Sequence, residues 1–409
     1  MSQVFSADSS CREVVRKFLG WLGVSEGRTA SPKTSAYCQA RGRLGVDTLQ
    51  QVHREIAEAI EGSVESDDLW YGRGVKVVDG SSISMPDTSE NQAAYPQPSC
   101  QKPGCGFPVM RIVGVFSLVT GALLGLAKGA LHIGEGALFR QLWERLSPGD
   151  VVLSDCGFCS YAHVYFLTRG GVDLVMRNHQ RRKVGLHLVK RFNRNERLVQ
   201  WHKTKNIPNW LSKAAWLLMP DTLLLREITF SIHTPGFRTR TITVITTLLN
   251  RKVFPTRAFA ELYRRRWMAE LFLRDIKITM RFDILRCKSP EMIEKELWMH
   301  LIAYNLVRAL MFNAAQTHRI PVERISFKGA LVTIREWTPL LAADLEESQR
   351  RWMTALLLKY LASDLLPSRP NRSEPRARKR RPKNYPLLTK PRIIFMEIPH
   401  RNRYKKPLT

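Results

Sequence analysis

The chain has 409 residues, of which 44% are hydrophobic and 24% charged, a composition that excludes a disordered chain and leaves room for two or three structural units. Its 64 Lys and Arg residues exceed its 36 Asp and Glu residues by 28, and such an excess favours a polyanionic partner, nucleic acid above all. A membrane surface is the weaker alternative, because no long amphipathic helix combines an aromatic face with a lysine-rich face.

No stretch of the sequence predicts export or membrane insertion. Residues 1–10 are polar and differ from a secretory signal, which has a positive start and an apolar run. The longest uncharged stretch, 112–127, is shorter than the roughly 18 to 20 residues that a membrane helix needs. Its central Thr120-Gly121 favours a buried β-hairpin. We therefore expect a soluble, intracellular protein with no membrane partner.

Seven cysteines in a chain without an export signal predict reduced thiols rather than structural disulfides. Cys156-x-x-Cys159, together with Cys100 and Cys105, leaves a zinc site open. Zinc ribbons, however, normally show two tightly spaced pairs in one small module. The favoured interpretation is that these four thiols are reduced and unrelated.

The first 70 residues are predicted to be helical, with helices over 11–22, 35–43 and 46–62. Short polar loops join them, which suits a small DNA-binding or interaction region. The segment contains no helix-turn-helix pattern that would decide between these two roles.

Residues 71–178 have the pattern of an α/β layer, a sheet covered by helices. The predicted strands are 75–79, 109–119, 123–132, 151–155 and 172–176, and the predicted helices are 137–146 and 161–168. Two of these strands end in aspartate, Asp79 in V-K-V-V-D and Asp155 in V-V-L-S-D. Basic runs and short β-like pieces then interrupt the pattern over 179–245, and 241–249 is predicted to be a strand.

The segment 255–281 predicts one continuous helix with an apolar stripe beside a polar face. On a helix turning about 100° per residue, the polar face carries Tyr263, Arg266, Glu270 and Lys277 within about 60° of one another, and also Arg274 and Arg281. A carboxylate among cations and a tyrosine hydroxyl suits a metal ion beside a phosphate backbone. Ordinary ion pairing is the alternative, because Glu270 lies four residues from both Arg266 and Arg274.

Beyond this helix, the chain is predicted to stay helical as far as residue 366. A long core-facing helix over 291–316 is followed by two more helices within 319–366. Residues 367–409 carry 14 Lys or Arg residues against two Glu residues, together with several prolines. This composition predicts an extended basic arm that contacts DNA phosphates, in preference to a merely solvated tail.

Asp79, Asp155 and Glu270 are three carboxylates that can converge, because the two aspartates end strands expected to be neighbours. A lone aspartate at a strand end is often a turn or cap residue. Three hard oxygen ligands together are what two Mg²⁺ ions bridging a phosphate oxygen require.

The spacing Tyr263-x2-Arg266-x3-Glu270-x6-Lys277 resembles the Y-R-E-K signature of the DDE-class insertion-sequence transposases of bacteria. The segments V-V-D-G-S at Asp79 and L-S-D-C-G-F at Asp155 resemble that family's first and second aspartates, and residues 324–329 also look familial. The resemblance implies a ribonuclease H-like α/β core, with a mixed sheet flanked by helices. The implied division is a helical region 1–70, core parts 71–178 and 246–318, a mostly β insertion 179–245, a helical region 319–366 and a basic tail 367–409.

The resemblance also implies roles for the residues of the polar face. Asp79, Asp155 and Glu270 would bind two Mg²⁺ ions, for which Mn²⁺ would substitute, and would be catalytic. Phosphates of the transposon ends would be held by Tyr263, Arg266 and Lys277, with Arg274 and Arg281 on the same face. The implied partners are double-stranded transposon-end and target DNA and a second copy of the chain, in the nucleoid of the bacterial cytoplasm.

Some positions depart from the family pattern or stay open. Cys156 follows the second aspartate, where relatives often place a basic residue. Some members of the family hold a flipped base on an aromatic of the insertion, and Trp201, Trp210 and Trp216 are candidates, although a role as partly buried core aromatics explains them equally well. Two further functions remain as alternatives: a metal-dependent nuclease without strand transfer, and a non-catalytic DNA-binding protein of transposase descent. The three intact carboxylates favour catalysis.

Overall fold

A nine-stranded mixed β-sheet with helices on both faces forms the centre of the molecule, as the α/β pattern predicted. The computed structural model describes residues 2–6, 9–178, 186–232, 240–341, 343, 345–367, 390–391 and 394. The predicted basic arm therefore lies almost entirely outside the described residues. None of the helices that are described is long and apolar enough to cross a membrane.

The elements follow the predicted order closely. The strands are β1 (Val75–Ser84), β2 (Val109–Ser117), β3 (Leu123–Ala130), β4 (Val151–Ser154), β5 (Asp173–Arg177), β6 (Leu186–Asn193), β7 (Glu196–His202), β8 (Thr222–Ile232) and β9 (Arg240–Thr246). The helices are α1 (Ser2–Phe5), α2 (Cys11–Glu26), α3 (Ser35–Arg43), α4 (Val46–Gly62), α5 (Ser89–Ala94), α6 (Glu135–Arg140), α7 (Tyr161–Arg169), α8 (Lys213–Leu218), α9 (Thr256–Arg265), α10 (Trp267–Arg274), α11 (Pro290–His318), α12 (Phe327–Leu341) and α13 (Glu347–Ser363).

The strand order across the sheet is β3-β2-β1-β4-β5-β9-β8-β7-β6. Strands β1, β4 and β5 run parallel, and every other neighbouring pair is antiparallel. Parallel neighbours need crossover connections, and the helices α6 and α7 supply them on one face of the sheet. The predicted division into domains stays a prediction, since one sheet runs through both 71–178 and 186–246.

Alternating side chains divide the central strands between two cores. Val75 and Val77 of β1 pack with Val151 and Leu153 of β4 in a core that also contains α9. The intervening residues, such as Val78, belong to a second core under α6 and α7. Because side chains alternate along a strand, the residue two places after Val77 faces the α9 side.

A third core forms around α11, which is 29 residues long and packs against α4, α13 and the β2–β3 hairpin. Helix α11 buries residues on several sides, Leu297, Leu301 and Tyr304 among them. This helix holds the N-terminal and C-terminal helical regions against the sheet.

The predicted helix over 255–281 is wrong as one continuous element. Helix α9 ends at Arg265, where the backbone N–H of Arg266 donates to Tyr263 O three residues back, and α10 then begins at Trp267. After α10, residues Asp275–Thr279 form a π-helical turn, in which the N–H of Met280 donates to Asp275 O. Tertiary contacts override the helical periodicity at both places.

The π-helical turn is held by a buried ion pair. The guanidinium of Arg308 on α11 lies 3.0 Å from the Asp275 carboxylate and stacks over the rings of Phe272, Tyr304 and Phe327. Periodicity in the sequence carries no trace of such a distant partner.

The predicted helix 137–146 is also divided. Helix α6 ends at Arg140, and Trp143–Arg145 form a 3-10 turn. The tighter turn brings the ring of Trp143 to 5.9 Å from that of Phe166 on α7, so packing decides the local winding.

Strands β6 to β9 extend the central sheet rather than forming a sheet of their own, since β9 pairs with β5. A buried carboxylate, Glu196, ties them to α9. Its oxygens accept bonds from Arg226 Nε at 2.8 Å, Arg251 Nε at 2.6 Å and the hydroxyl of Thr256 at 3.1 Å. Thr256 is the first residue of α9, so this cluster fixes where the helix starts.

Candidate active site

The parallel pairing of β1 and β4 brings Asp79 and Asp155 side by side. Asp155 directly follows β4, but the prediction that Asp79 ends its strand is wrong, because pairing with β2 continues β1 as far as Ser84 and leaves Asp79 in its middle. Val75 pairs with Val151 and Val77 with Leu153. The same register, continued for two residues, sets Asp79 beside Asp155, at the point where β4 ends. Asp79 lies two residues after Val77, and Asp155 lies two residues after Leu153. Val77 and Leu153 both face α9, so the alternation of side chains along a strand puts the two aspartates on the α9 side of the sheet.

Helix α10 adds the third carboxylate to this face. Ala269 is fully buried against the sheet, and α10 packs directly on β1. The next residue, Glu270, stands at the rim of that contact with its side chain 38% exposed. Asp79 experiences the negative charges of both Asp155 and Glu270, so the three predicted carboxylates share one electrostatic environment.

Arg266 is the cation between two of these carboxylates. Its Nη2 lies 2.8 Å from Glu270 Oε1, and its Nη1 lies 3.9 Å from Asp79 Oδ2. The ion pair considered from the sequence therefore exists on the Arg266 side. The guanidinium of Arg274, in contrast, lies 3.7 Å from Asp275 and is 59% exposed.

The carboxyl of Asp79 has a raised pKa, so it is protonated more readily than an ordinary aspartate. Burial, the largest effect, raises its pKa from 3.8 to about 6, and the charges of Asp155 and Glu270 act in the same direction. The N–H of Gly80 and the guanidinium of Arg266 oppose the shift without cancelling it. A strongly raised carboxyl pKa in a cluster of acids is typical of a functional site.

Backbone donors orient both aspartates. The N–H of Gly80 donates to Asp79 Oδ1 at 2.9 Å, and the N–H of Gly157 donates to Asp155 Oδ1 at 2.8 Å. Each aspartate thus has one oxygen held by the chain immediately after it. The glycines in D-G-S and D-C-G are the sequence feature that accompanies these bonds.

Tyr263 is buried beside the cluster. Burial raises its pKa to about 12, and it lies within electrostatic reach of Arg266, Arg177 and Asp155. Its hydroxyl therefore stays protonated at neutral pH and can donate a hydrogen bond. Arg177, at the end of β5, is a neighbour that the sequence did not reveal.

The π-helical turn directs Lys277 onto the strand that carries Asp79. Its Nζ donates to the hydroxyl of Ser81 at 2.9 Å and to Ser82 O at 2.8 Å. Burial lowers the pKa of this lysine. The serines that follow Asp79 were not predicted as partners, because they are close to Lys277 only in space.

Arg281 takes a different direction from the other residues of the predicted face. It follows the π-helical turn with a left-handed backbone (φ 55°) and lines a cavity with Cys11 and Arg41 of the N-terminal region. The predicted polar face is therefore not continuous as far as Arg281.

The three tryptophans of the 186–246 region differ in their surroundings. Trp201 and Trp216 are buried against Tyr161, with ring centroids 5.5 and 6.1 Å from it, which agrees with the core interpretation. Trp210 is 38% exposed and carries the guanidinium of Arg140 stacked 4.2 Å from its ring centroid.

Within the described part of the chain, no three His, Cys, Asp or Glu side chains already surround one point as a metal site, and this holds for the cysteines as well as the carboxylates. The donor set nevertheless fits hard divalent cations, because it consists of carboxylate oxygens only. Burial and the neighbouring acids raise the pKa of Asp79, and the guanidinium of Arg266 is the cation that contacts both Asp79 and Glu270.

Residues 70–306 match the family model described as the transposase DDE domain. Over 363 residues the chain is 28% identical to the transposase InsG for insertion sequence element IS4 of Escherichia coli (strain K12), an alignment that covers 87% of this chain and 78% of that protein. The putative transposase InsZ of the same strain is 25% identical over 140 residues, or 34% of this chain and 47% of that protein.

Proposed function

Since the chain belongs to the family of transposases with a DDE domain, it is a DNA transposase, and we propose that Asp79, Asp155 and Glu270 are the carboxylates that catalyse its reaction. The family catalyses DNA cleavage and strand transfer and depends on a divalent metal. One observation carries the assignment of the residues: the β1–β4 register and helix α10 bring these three acids to the same face of the sheet.

The metal that we propose is Mg²⁺, two ions held by Asp79, Asp155 and Glu270, with Mn²⁺ as a substitute. When bound, such ions activate the attacking oxygen and stabilise the leaving oxygen of a phosphodiester. The N–H groups of Gly80 and Gly157 keep one oxygen of each aspartate in a fixed direction. Asp79 and Glu270 would hold the ions with a carboxylate group that Arg266 now contacts, at 3.9 Å and 2.8 Å respectively.

The residues of the Y-R-E-K spacing are proposed to hold the phosphates of the transposon ends. Tyr263 is protonated at neutral pH, as tyrosines ordinarily are, and burial raises its pKa further to about 12, so it offers a hydroxyl donor. Lys277 is anchored at Ser81 and Ser82, two and three residues after Asp79 on β1, and this position supports a contact to a phosphate near the carboxylates. Arg274 is proposed to contact the DNA backbone further out, where its side chain is exposed.

We propose that Arg281, which lines the cavity shared with Cys11 and Arg41, contacts a DNA phosphate further from the carboxylates. The net charge of +28 supports binding along an extended length of double-stranded DNA, at transposon ends and target alike. The basic tail 367–409 adds sequence-independent phosphate contacts in this proposal.

For the architecture, we propose a ribonuclease H-like core made of 71–178 and 246–318, interrupted by the β-rich segment 179–245. The support is the parallel β1-β4-β5 centre with an antiparallel β2–β3 hairpin at one edge. Regions 1–70 and 319–366 are the proposed helical flanks.

We further propose that two copies act together on DNA in the bacterial nucleoid, because transposition needs both ends held at once. Light scattering of the protein bound to inverted-repeat DNA should give two protomers per complex. A mass of one protomer per DNA complex would contradict this.

A strand-transfer assay tests the function against the nuclease alternative. The protein receives a pre-cleaved inverted-repeat end with a 3′-OH and a supercoiled target plasmid in Mg²⁺, and a transposase yields joined product. A nuclease cuts the DNA and yields none.

Single substitutions test the assignment of the residues. D79A, D155A and E270A are expected to lose both cleavage and joining while gel-shift binding of the end persists, and E261Q, on the exposed side of α9, serves as control. Mg²⁺-dependent cleavage retained by any of the three alanine variants would overturn that assignment. Binding without any reaction by the parent protein would favour the non-catalytic alternative.

A further inference from the structure

Two exposed histidines meet at the open end of the β6–β7 hairpin, far along the sheet from the carboxylates. His187 is the second residue of β6, and His202 is the last residue of β7. The register pairs Leu186 with Trp201 and His187 with Gln200, so the two histidines are diagonal neighbours on one face of the hairpin. Their ring centroids lie 4.4 Å apart, and the ring planes form an angle of 72°. Strand pairing, and not closeness in the sequence, brings the two imidazoles together.

The two imidazoles are accessible from solvent. Both histidines are exposed, whereas Val199 and Trp201, on the other face of β7, are buried in the core under α6 and α7. Among the residues that the structure describes, none forms a hydrogen bond with either ring. The amide of the neighbouring Gln200 is engaged elsewhere, since its Nε2 donates to the hydroxyl of Thr222 at 2.8 Å. An ion from solution can therefore reach the ring nitrogens.

The separation of the rings is close to that of two imidazoles on one metal ion. A zinc–nitrogen bond of about 2.0–2.1 Å, with the nitrogen about 1.2 Å from the ring centroid, puts the metal about 3.2 Å from each centroid. Two such rings have centroids about 4.5 Å apart when their bonds to the metal form a right angle, and about 5.2 Å apart at the tetrahedral angle. The observed 4.4 Å differs from these values by about 1 Å or less, which rotation of exposed side chains can supply.

Imidazole ligands select a different class of ion from carboxylates. Imidazole nitrogen suits Zn²⁺, Ni²⁺ and Cu²⁺, whereas Mg²⁺ takes oxygen ligands such as those of Asp79, Asp155 and Glu270. Strand β7 is the fourth strand from β4 in the sheet, so about 19 Å separate the two strands. The histidines and the three carboxylates therefore cannot share an ion.

We propose that His187 and His202 together bind one transition-metal ion of the Zn²⁺ and Ni²⁺ class, with water in the remaining coordination positions. The ion joins the beginning of β6 to the end of β7, so it pins the end of the hairpin that lies opposite the turn at 194–195. Strand β6 is an edge strand of the sheet and exposes Leu188 and Val189, so its pairing with β7 has little burial to stabilise it. Because the unpaired hairpin offers no preformed site, binding of the ion stabilises the folded edge of the sheet.

The test is titration calorimetry of the full-length protein with Ni²⁺, in the presence of excess Mg²⁺ to occupy oxygen sites. The parent should bind one ion that H187Q and H202Q each bind about tenfold more weakly or not at all, because even the loss of a residue that only supports a metal ligand costs about 10–100-fold in affinity. H132Q removes an exposed histidine between β3 and α6 and is the matched control, which should bind this ion like the parent. Unchanged Ni²⁺ affinity in H187Q and H202Q would overturn the proposal.

Two further measurements separate metal binding from packing of the rings, with circular dichroism to establish that each variant is folded. Mass mapping after treatment with diethyl pyrocarbonate should show that Ni²⁺ protects His187 and His202 from modification but leaves His132 reactive. Equal modification of His187 and His202 with and without Ni²⁺ would contradict the site.

Thermal unfolding supplies the second measurement. Ni²⁺ should raise the Tm of the parent and of H132Q, and should leave the Tm of H187Q and H202Q unchanged. A lower Tm in H187Q and H202Q, with no effect of Ni²⁺ on the parent, would show that the rings only pack together and would overturn the proposal. None of these measurements requires DNA cleavage, so their outcome is independent of the catalytic role proposed for the carboxylates.

Discussion

Helix α9 has a carboxylate cluster near each of its ends, and the two clusters differ in how their charge is compensated. At its start, Glu196 is 2% exposed and bonds to Arg226, Arg251 and Thr256. Beyond its end, Asp79 is 19% exposed, has one guanidinium 3.9 Å away and stands near two further acids.

The pKa values respond in opposite directions. Burial acts to raise the pKa of Glu196, but the bonds and charges from Arg251, Arg226 and Thr256 outweigh it, and the pKa lies below its ordinary value. For Asp79 burial prevails, with help from Asp155 and Glu270, and the pKa rises to about 6. Arginine–carboxylate contacts occur at both places, so what distinguishes the two clusters is whether those contacts outweigh the effect of burial on the pKa.

The largest expected effect is on catalysis, when a negative charge is removed from the cluster of Asp79, Asp155 and Glu270, here called the Asp79 cluster. D155N or E270Q should lower the rate of cleavage of an inverted-repeat end on the order of 10³-fold, because several kcal/mol of transition-state stabilisation are lost. The thermal unfolding midpoint of the metal-free protein should not fall. A cleavage rate within about tenfold of the parent rate, or a lower Tm as the main effect, would contradict the catalytic role that distinguishes the Asp79 cluster from the Glu196 cluster.

The same kind of substitution in the cluster around Glu196, here called the Glu196 cluster, should affect folding instead. E196Q leaves the guanidinium of Arg226 buried without a full counter-charge, which costs about 3–5 kcal/mol of unfolding free energy. Urea unfolding at pH 7 measures the loss, and the double variant E196Q/R226M should recover part of it. The cleavage rate per folded molecule should stay near that of the parent, and a selective loss of catalysis would show that Glu196 does more than hold α9.

The pH dependence of stability should differ in sign between the clusters. The folded-state pKa of Asp79 is raised, so its contribution is present below about pH 4 and is lost as pH rises through about 6, a loss of about 2–3 kcal/mol. D79N, which resembles the protonated form, should therefore be more stable than the parent at pH 7.5 in EDTA.

Glu196 should behave in the opposite way. Its folded-state pKa is lowered, so its contribution is present at neutral pH and is lost as pH falls through that pKa. Denaturant midpoints measured from pH 4 to 8 for the parent, D79N and E196Q test both signs. If D79N is less stable than the parent at pH 7.5, the prediction for the Asp79 cluster is contradicted.

The smallest expected effect is on DNA affinity. K277A should weaken binding of an inverted-repeat end about tenfold, or about 1.4 kcal/mol, and reduce the slope of log affinity against log salt by about one. K277R should keep most of the affinity, and K252A, an exposed lysine before α9, is the matched control. Equal losses in K277A and K252A would mean that Lys277 contributes only to the general basic surface.

Local patterns predicted the elements well, because burial and turn residues act over a few neighbours. The helices 35–43 and 46–62 were predicted with their observed ends, and the strands that lead to Asp79 and Asp155 were predicted with their observed first residues, Val75 and Val151. The approach of the two aspartates was also predicted, and the parallel register of β1 and β4 sets them side by side. The continuation of β1 beyond Asp79 was missed, because it depends on pairing with β2. The roles of the site residues stay predictions until the substitutions above are measured.

Features that depend on distant partners could not be predicted. The two breaks in 255–281 coincide with the Arg266 contacts to Asp79 and Glu270 and with the ion pair between Asp275 and Arg308 of α11, partners that are distant in the sequence or on other elements. The direction of Arg281 follows from the π-helical turn, which a constant 100° rotation cannot represent. Likewise, nothing local links Glu196 to Arg226 and Arg251.

The parallel register of β1 and β4 limits how this chain can change its length. One residue inserted between Val75 and Asp79, or between Val151 and Asp155, would turn that aspartate to the opposite face of the sheet, away from Glu270. The connection between the strands carries no such restriction, because loops tolerate insertions when the strand ends stay in register. Descendants of this chain should therefore accumulate length differences between residues 85 and 150, outside the strands and helices. The segments 75–79 and 151–155, which lead to the two aspartates, should keep their length of five residues.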